Sequence, residues 1–457
     1  MSCDSDLGWK RRKPVRAAHE RCTRRATIYR EVTMAQQERR AWFIVASLFL
    51  VLFLIAGSGA NTFGVFLPTL LKAFPHWSRA RVATLPSALF FSWGATVIPV
   101  GWLLDRVEAR IVMIVGAVAA GAAFLIASRS NSLAPMIAAY SLLGVGISAG
   151  TLAPAAFVIA NWFQAHRGLA MGIAMSGTTA GGMVMTLVAN HVIQGPGWRA
   201  AYLVLGVPMI VVVVPLTVLT VRSRPPGAVK MTVAQGASLL EGFEAVEALH
   251  TRSFWMLVIA NFCFGFVAVG TVVHLIAYLE GLGYKAGSAA LSMSLLFGMG
   301  GLGKVVIGHA ADRIGARLAL ALDFAANALA FLMVFGAANV FLLVLFILVS
   351  GVGFAAPVAL LPMLLAESLG LRRYGILNAL AALAGTFGAT AGPLVAGRIF
   401  DLTGSYINTF ELFVLLNAIG AAAALACQPY ETHAQIMVAP EPASAQLGQS
   451  VHGPNST

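Results

Sequence analysis

The sequence predicts an all-α membrane protein of twelve transmembrane helices in two six-helix halves, and three observations predict it. The composition points to lipid as solvent. Of 457 residues 59% are hydrophobic and 11% charged, with a mean hydropathy of +0.83; a soluble domain has about 45–50% apolar and about 25% charged residues. Apolar stretches long enough to cross about 30 Å of hydrocarbon at about 1.5 Å per residue recur along the chain. A short charged loop also occurs twice, once in each half.

The apolar stretches lie near 41–67, 80–103, 111–128, 134–160, 168–193, 199–220, 254–279, 288–309, 316–337, 340–366, 375–398 and 409–427. The longest polar interruption divides them six and six. The chain is therefore read as a basic tail (1–40), a first half (41–221), a linker (222–253), a second half (254–427) and a disordered tail (428–457). In the linker, Ser238 to His250 places Leu239, Phe243, Val246 and Leu249 at helical spacing opposite Glu241, Glu244 and Glu247, the pattern of a helix lying on the membrane face. The tail has no Lys or Arg and is rich in Ala, Pro, Gln and Ser, too polar to fold alone. The first span is longer than the apolar core of a signal peptide, so it is expected to stay in the protein.

Charge is distributed by side. Of 30 Lys and Arg, 22 fall on the side of the N-terminal tail, 7 on the other, and Lys304 alone lies within a span. This is the positive-inside pattern and places both termini in the cytoplasm. It accounts for the net charge of +12 without nucleic acid, and Lys10, Arg11, Arg12 and Lys13 suit contact with anionic lipid. Cys3, Cys22, Cys263 and Cys427 have neither the spacing of a disulfide framework nor that of a metal site. No metal and no cofactor are expected.

The repeated loop reads Gly101-Trp-Leu-Leu-Asp105-Arg106-Val-Glu-Ala-Arg110 after the second span and Gly308-His-Ala-Ala-Asp312-Arg313-Ile-Gly-Ala-Arg317 after the eighth. Four identities at one spacing mark an internal repeat, as in transporters built from parallel six-span units. On these loops the chain resembles the major facilitator superfamily over residues 41 to 427. The resemblance implies that Asp105, Arg106, Asp312 and Arg313 touch neighbouring helix ends at the cytoplasmic face, help hold the outward-open state and so act in gating. Glu108 departs from the family's pattern, which has Gly there. Capping and topology alone are the competing reading of these charges.

Three further segments are similar to the branch of bacterial monocarboxylate porters and oxalate:formate antiporters: Phe63-Gly-Val-Phe-Leu-Pro68 with Trp77-Ser-Arg79; Asn161-Trp-Phe-Gln-Ala-His-Arg167-Gly-Leu-Ala-Met-Gly172; and Gly392-Pro-Leu-Val-Ala-Gly397 with Asp401-Leu-Thr-Gly-Ser-Tyr406. The likeness implies a monomeric protein of the plasma membrane, the inner membrane in a bacterium.

An ionisable side chain deep in a span costs about 2.5–3.5 kcal/mol on insertion scales and is a functional candidate by default. Lys304 stands eight residues before Asp312, about 12 Å along a helix. In the resembled branch a cation at this offset binds the substrate carboxylate; snorkelling to the headgroups is the alternative. Span 11 carries no second cation between Tyr374 and Gly397, and one fixed charge suits a monoanion. Asp323 in span 9 and His274 in span 7 are the candidates for proton coupling, each weighed against a structural role. Asn61, Thr62, Tyr278 and Asn378 are candidate substrate contacts, with Ser148, Thr151 and Thr386 as weaker ones; each competes with plain interhelical hydrogen bonding. The glycine pairs Gly146/Gly150, Gly168/Gly172 and Gly177/Gly181 are read as sites of close helix approach, and Pro154 and Pro357 as flex points.

The run Gly298-Met-Gly-Gly-Leu-Gly303-Lys304 mimics nucleotide-binding loops, but Val305 stands where a magnesium-holding hydroxyl is required and no βαβ unit surrounds it. No nucleophile, base and orienter come together, so no enzyme is expected. The expectation is secondary transport of a small organic anion, a monocarboxylate, by alternating access. The rivals are efflux of amphiphiles, in view of 27 Phe and 16 Met, and a non-transporting membrane sensor.

Overall fold

The computed structural model describes residues 39–163, 166–223 and 242–430. The expected basic tail up to residue 38, the linker stretch 224–241 and the chain beyond Tyr430 lie outside the described residues. Among the described residues eleven helices are long and apolar enough to cross a membrane, and a bent helix pair, taken as one span, makes a twelfth. In order these are Arg39–Ala73, Arg79–Leu104, Ala109–Arg129, Leu133–Trp162, Gly168–Gln194 and Trp198–Thr220, then Arg252–Gly281, Ala286–Ile314, Ala316–Val334, Val340–Phe354 with Pro357–Leu369, Tyr374–Thr403 and Ile407–Ala426. They are numbered spans 1 to 12. The two halves meet where span 2 packs on span 11, span 5 on span 8 and span 1 on span 7. The end of the bundle that carries the linker is called here the linker face.

Several spans are interrupted, and two of the breaks adjoin a proline. Span 1 leaves the helix at residues 60–62. Span 4 breaks at Thr151, where φ is −125° and ψ −108°, just ahead of Pro154. Span 10, read from hydropathy as one run, breaks at Ala355 and Ala356 and bends by 41°. Pro357 is the first residue of its second segment. A proline has no N–H to give the preceding turn but fits a first helical turn, where none is needed.

The end of the linker differs from the expected helix over 238–250. Residues 238–241 lie outside the described residues. From there Gly242, at φ +152°, forms an isolated bridge with Gly370, and the Phe243 amide donates to Leu369 O at 3.1 Å. The chain stays extended until Glu244 and Glu247 form a capping box, and only Ala245–Leu249 is helical.

Of the glycine pairs, Gly146 and Gly150 lie against Gly116, and Gly177 and Gly181 against the backbone of span 1 at Phe49, Phe53 and Gly57. Gly168 and Gly172 differ: a Cβ built at either meets nothing within 4 Å. They share a helix face with Met175 and Thr179 by their spacing of three or four residues, and that face looks into the interior described next.

Candidate functional site

A cavity of about 450 Å³ lies between the halves, within the size range of small-molecule sites. Its walls are mostly apolar and aromatic, with Phe90, Trp93, Phe264, Phe297 and Phe354 the large rings. Polar atoms come from Asn61 in span 1, Thr178 and Thr179 in span 5, Asn261 in span 7, Lys304 in span 8 and Asn378 and Thr386 in span 11. Toward the linker face the lining reaches Asn378, four residues into span 11. In the other direction it stops at Val272 and Ala389.

Lys304 is the one ionisable side chain among the described residues of these walls. It is partly buried, and among the described residues it forms neither an ion pair nor a hydrogen bond. The glycines before it explain its setting. A Cβ on Gly303 would overlap the Val352 carbonyl, so glycine lets span 8 press against span 10 just before the break. Phe354, Ala355, Pro357 and Val358 then face the same cavity as Lys304. An unpaired cation in largely apolar surroundings attracts an anion far more strongly than it would in water.

The other expected residues divide between this cavity and other places. Asn61 lines it, with its amide donating to Thr178 O at 3.1 Å. Asn378 and Thr386 line it as well. Thr62 does not; its hydroxyl donates across the break in span 1 to Ser58 O at 2.6 Å. Tyr278 is buried elsewhere and donates to Val334 O at 2.7 Å. Ser148 and Thr151 are buried in span 4, away from the lining. Asp323 lines a second, smaller chamber and forms no ion pair with Lys304. Trp93, Thr178 and Asn261 were not singled out from sequence. Threonine and asparagine are common in spans as interhelical bonding groups, so only their convergence on one cavity distinguishes them.

His274 belongs to a network that ties the halves at the face opposite the linker. Pro393 O can only accept, so His274 Nε2 donates to it at 2.9 Å, and Nδ1 takes the Tyr406 hydroxyl at 2.9 Å. Burial pushes the Tyr406 phenol up to about 12, so that hydroxyl keeps its proton. Arg79 Nη1 donates to the same oxygen at 2.8 Å, and its guanidinium lies 3.8 Å over the Phe400 ring. Asp401 completes the arrangement: its two carboxylate oxygens accept the backbone N–H groups of Arg79 and Ala80 at 3.0 and 2.9 Å. These are the first N–H groups of span 2, which no helical partner satisfies, and Ser78 accepts the next from Arg81. A carboxylate from the second half thus caps a helix of the first, with the helix dipole in its favour.

At the linker face Arg106 stacks on Trp102 of its own half at 3.8 Å. Asp312 and Arg313 are exposed. Among the described residues no hydrogen bond or ion pair joins the two loops. The same residues contain no cluster of three His, Cys, Asp or Glu side chains able to hold a metal.

Residues 48–322 match the family model described as Major Facilitator Superfamily. Among curated relatives, an uncharacterized MFS-type transporter of Bacillus subtilis, YcxA, is 29% identical over 54% of this chain and 60% of its own length; the match thus spans less than two thirds of that relative. The oxalate:formate antiporter of Oxalobacter formigenes is 26% identical over 69% of this chain and 75% of its own. A probable sulfoacetate transporter of Cupriavidus necator, SauU, is 24% identical over 78% and 86%. Among solved structures, an inward-facing, unoccupied bacterial homolog of the human lysosomal transporter Spinster superposes with a TM-score of 0.63. It has 17% identity and covers 85% of this chain and 93% of that one, a likeness of fold.

Proposed function

The chain belongs to the Major Facilitator Superfamily, and we propose on that premise that it is a secondary active transporter moving a small organic monoanion, a monocarboxylate, by alternating access. Lys304 carries this proposal: an unpaired cation in a cavity between two halves has an anion as its natural partner. The aromatic walls would hold the apolar part of such a molecule, and Asn61, Asn261 and Asn378 its remaining polar atoms. Two of the relatives named above are described by the carboxylates or sulfonated carboxylate they carry. The excess of Lys and Arg on the linker side supports a cytoplasmic linker face. On this orientation Asp105, Arg106, Asp312 and Arg313 gate the cytoplasmic side when it closes.

Of the two groups expected to serve a coupling proton, His274 has both ring nitrogens committed to the network opposite the linker. Asp323 has no such commitment among the described residues and is the group left free to take a coupling cation. Counterflow in proteoliposomes with a panel of labelled carboxylates tests the main proposal. Lys304→Ala is expected to lower monocarboxylate exchange by about tenfold or more, equivalent to about 1.4 kcal/mol of binding. Unchanged exchange would remove Lys304 from the site. The aromatic lining gives the amphiphile-efflux reading its one support; carboxylate-independent export of a cationic dye would establish it instead.

A further inference from the structure

We propose that the small chamber around Asp323 is a sodium site, and that its occupancy is linked to the main cavity through the break in span 10. Asp323 is 4% exposed and its Oδ2 has no hydrogen-bond partner. Neither carboxylate oxygen forms an ion pair among the described residues, and no other ionisable side chain lines the chamber. A bare carboxylate in an apolar interior is costly unless a positive charge joins it.

The neighbouring side chains are arranged for a cation. Thr271 of span 7, Asn327 of span 9, Ser350 of span 10 and Asn417 of span 12 line the chamber with Asp323. None donates to the carboxylate among the described residues: Thr271 Oγ1 donates to Val267 O at 2.7 Å, Asn327 Nδ2 gives one hydrogen to the backbone O of Asp323 at 3.1 Å, Ser350 Oγ donates to Asn327 Oδ1 at 2.9 Å, and Asn417 Nδ2 gives one hydrogen to Phe413 O at 2.8 Å. A purely structural aspartate would draw some of these donors to itself. Here none of them bonds it, and each of the four brings a side-chain oxygen to the residues around the chamber. The volume, about 30 Å³, accommodates one water-sized particle.

Hard cations take oxygen ligands of this kind, and one carboxylate balances one positive charge, which favours a monovalent ion over calcium or magnesium. A proton would need a single acceptor rather than five side chains with oxygen. Gly353 belongs to the design, because a Cβ there would lie 2.6 Å from Asp323 Oδ1. It sits at the C-terminal end of Val340–Phe354, the negative end of a half-helix and a recognised place for a coupling cation in broken transporter helices.

The link to the substrate is a shared wall. Phe264, Ala268, Phe354 and Pro357 line both the chamber and the Lys304 cavity, and Phe354 and Pro357 flank the 41° bend. A cation drawing Asp323, Ser350 and Asn417 together would fix that bend. This coupling rests on the transport reading; the binding of sodium does not.

Binding is therefore measured first. The thermal midpoint of the detergent-solubilised protein is followed in sodium chloride against choline chloride and potassium chloride at equal ionic strength and fixed pH. Sodium is expected to raise the midpoint of the native protein selectively. The half-maximal concentration should rise at least tenfold in Asp323→Asn and in Asn417→Ala, the second variant keeping the carboxylate in case the first does not fold. Lys304→Ala should keep the sodium response, so that failure of the anion site and failure of this one are told apart. The proposal is overturned if sodium and choline act alike, if potassium acts equally, if Asp323→Asn keeps the full response, or if the midpoint follows pH alone. With binding established, a sodium gradient should accelerate carboxylate uptake, and uptake indifferent to that gradient would remove the coupling.

Discussion

The two faces of the bundle hold the halves together differently. Opposite the linker, Asp401 caps span 2 across the boundary, Arg79 reaches Tyr406 and Phe400, and Tyr406 passes a hydrogen bond to His274. Lys72 and Glu280 add an ion pair at 3.9 Å, a separation and exposure that make it worth little. At the linker face Arg106 stacks within its own half, and Asp312 and Arg313 of the second loop are exposed. The charges of the two regions resemble each other in kind. Their difference is that, among the described residues, one set is engaged across the halves and the other is not, as expected of a molecule closed on one side and open on the other. On the proposed mechanism of alternating access two states lie within a few kcal/mol of each other, so the bonds lost opposite the linker would have to be offset by bonds formed at the linker face.

The largest effect is expected where the open face would have to close. Gly172 has empty space before it, on the helix face of Met175 and Thr179, which line the cavity. Gly172→Leu should obstruct closure while leaving the site intact. Counterflow is expected to fall more than tenfold with carboxylate affinity nearly unchanged, as read by equilibrium binding. Undiminished counterflow would show that this face of span 5 never approaches the other half.

Asp401→Asn addresses the closed face and should act less strongly. A carboxylate cap on a helix N-terminus contributes about 0.5–2 kcal/mol, and about 1.4 kcal/mol is a tenfold change in a two-state ratio. Spin labels at Arg81 and Thr403, both exposed, are expected to show a longer-distance population rising by up to about tenfold. An unchanged distance distribution would mean that the packing of spans 2 and 11 alone closes this side.

Much of this architecture was legible in the sequence, and what was not has a physical reason. Hydropathy reveals spans because lipid demands them, and Lys304 stood out because a cation there is costly. The Asp401 cap was not legible as a contact. Its pieces were visible in the segments around Arg79 and Asp401, but they lie 322 residues apart, and no periodicity records such a pairing. Hydropathy also ran straight through the break in span 10, because Ala355 and Ala356 are as apolar as their neighbours; Pro357 was the only sign. Asp323 looked solitary along the chain. The oxygens around it come from spans 7, 9, 10 and 12, which only tertiary structure brings together.

The smallest effect sharpens the comparison by asking whether the linker takes part in the open face. Glu244 pairs with Arg372 at 2.9 Å and Arg373 at 2.8 Å, on the turn between spans 10 and 11. The Arg373 hydrogen bond, with Arg372 beside it, holds the Glu244 carboxyl below the usual carboxylate range. A lowered native pKa stabilises above the ordinary value, and the contribution is lost as pH falls through the lowered one. The group is too exposed for the pair to count heavily, and the Gly242–Gly370 bridge and the Phe243–Leu369 bond hold the same segment. Glu244→Gln is therefore expected to leave transport unchanged at neutral pH. It should make exchange of the Phe243 amide slightly faster, a difference from the native protein that disappears in acid once Glu244 itself is protonated. A marked loss of transport would instead mean that the docked linker is part of the gate.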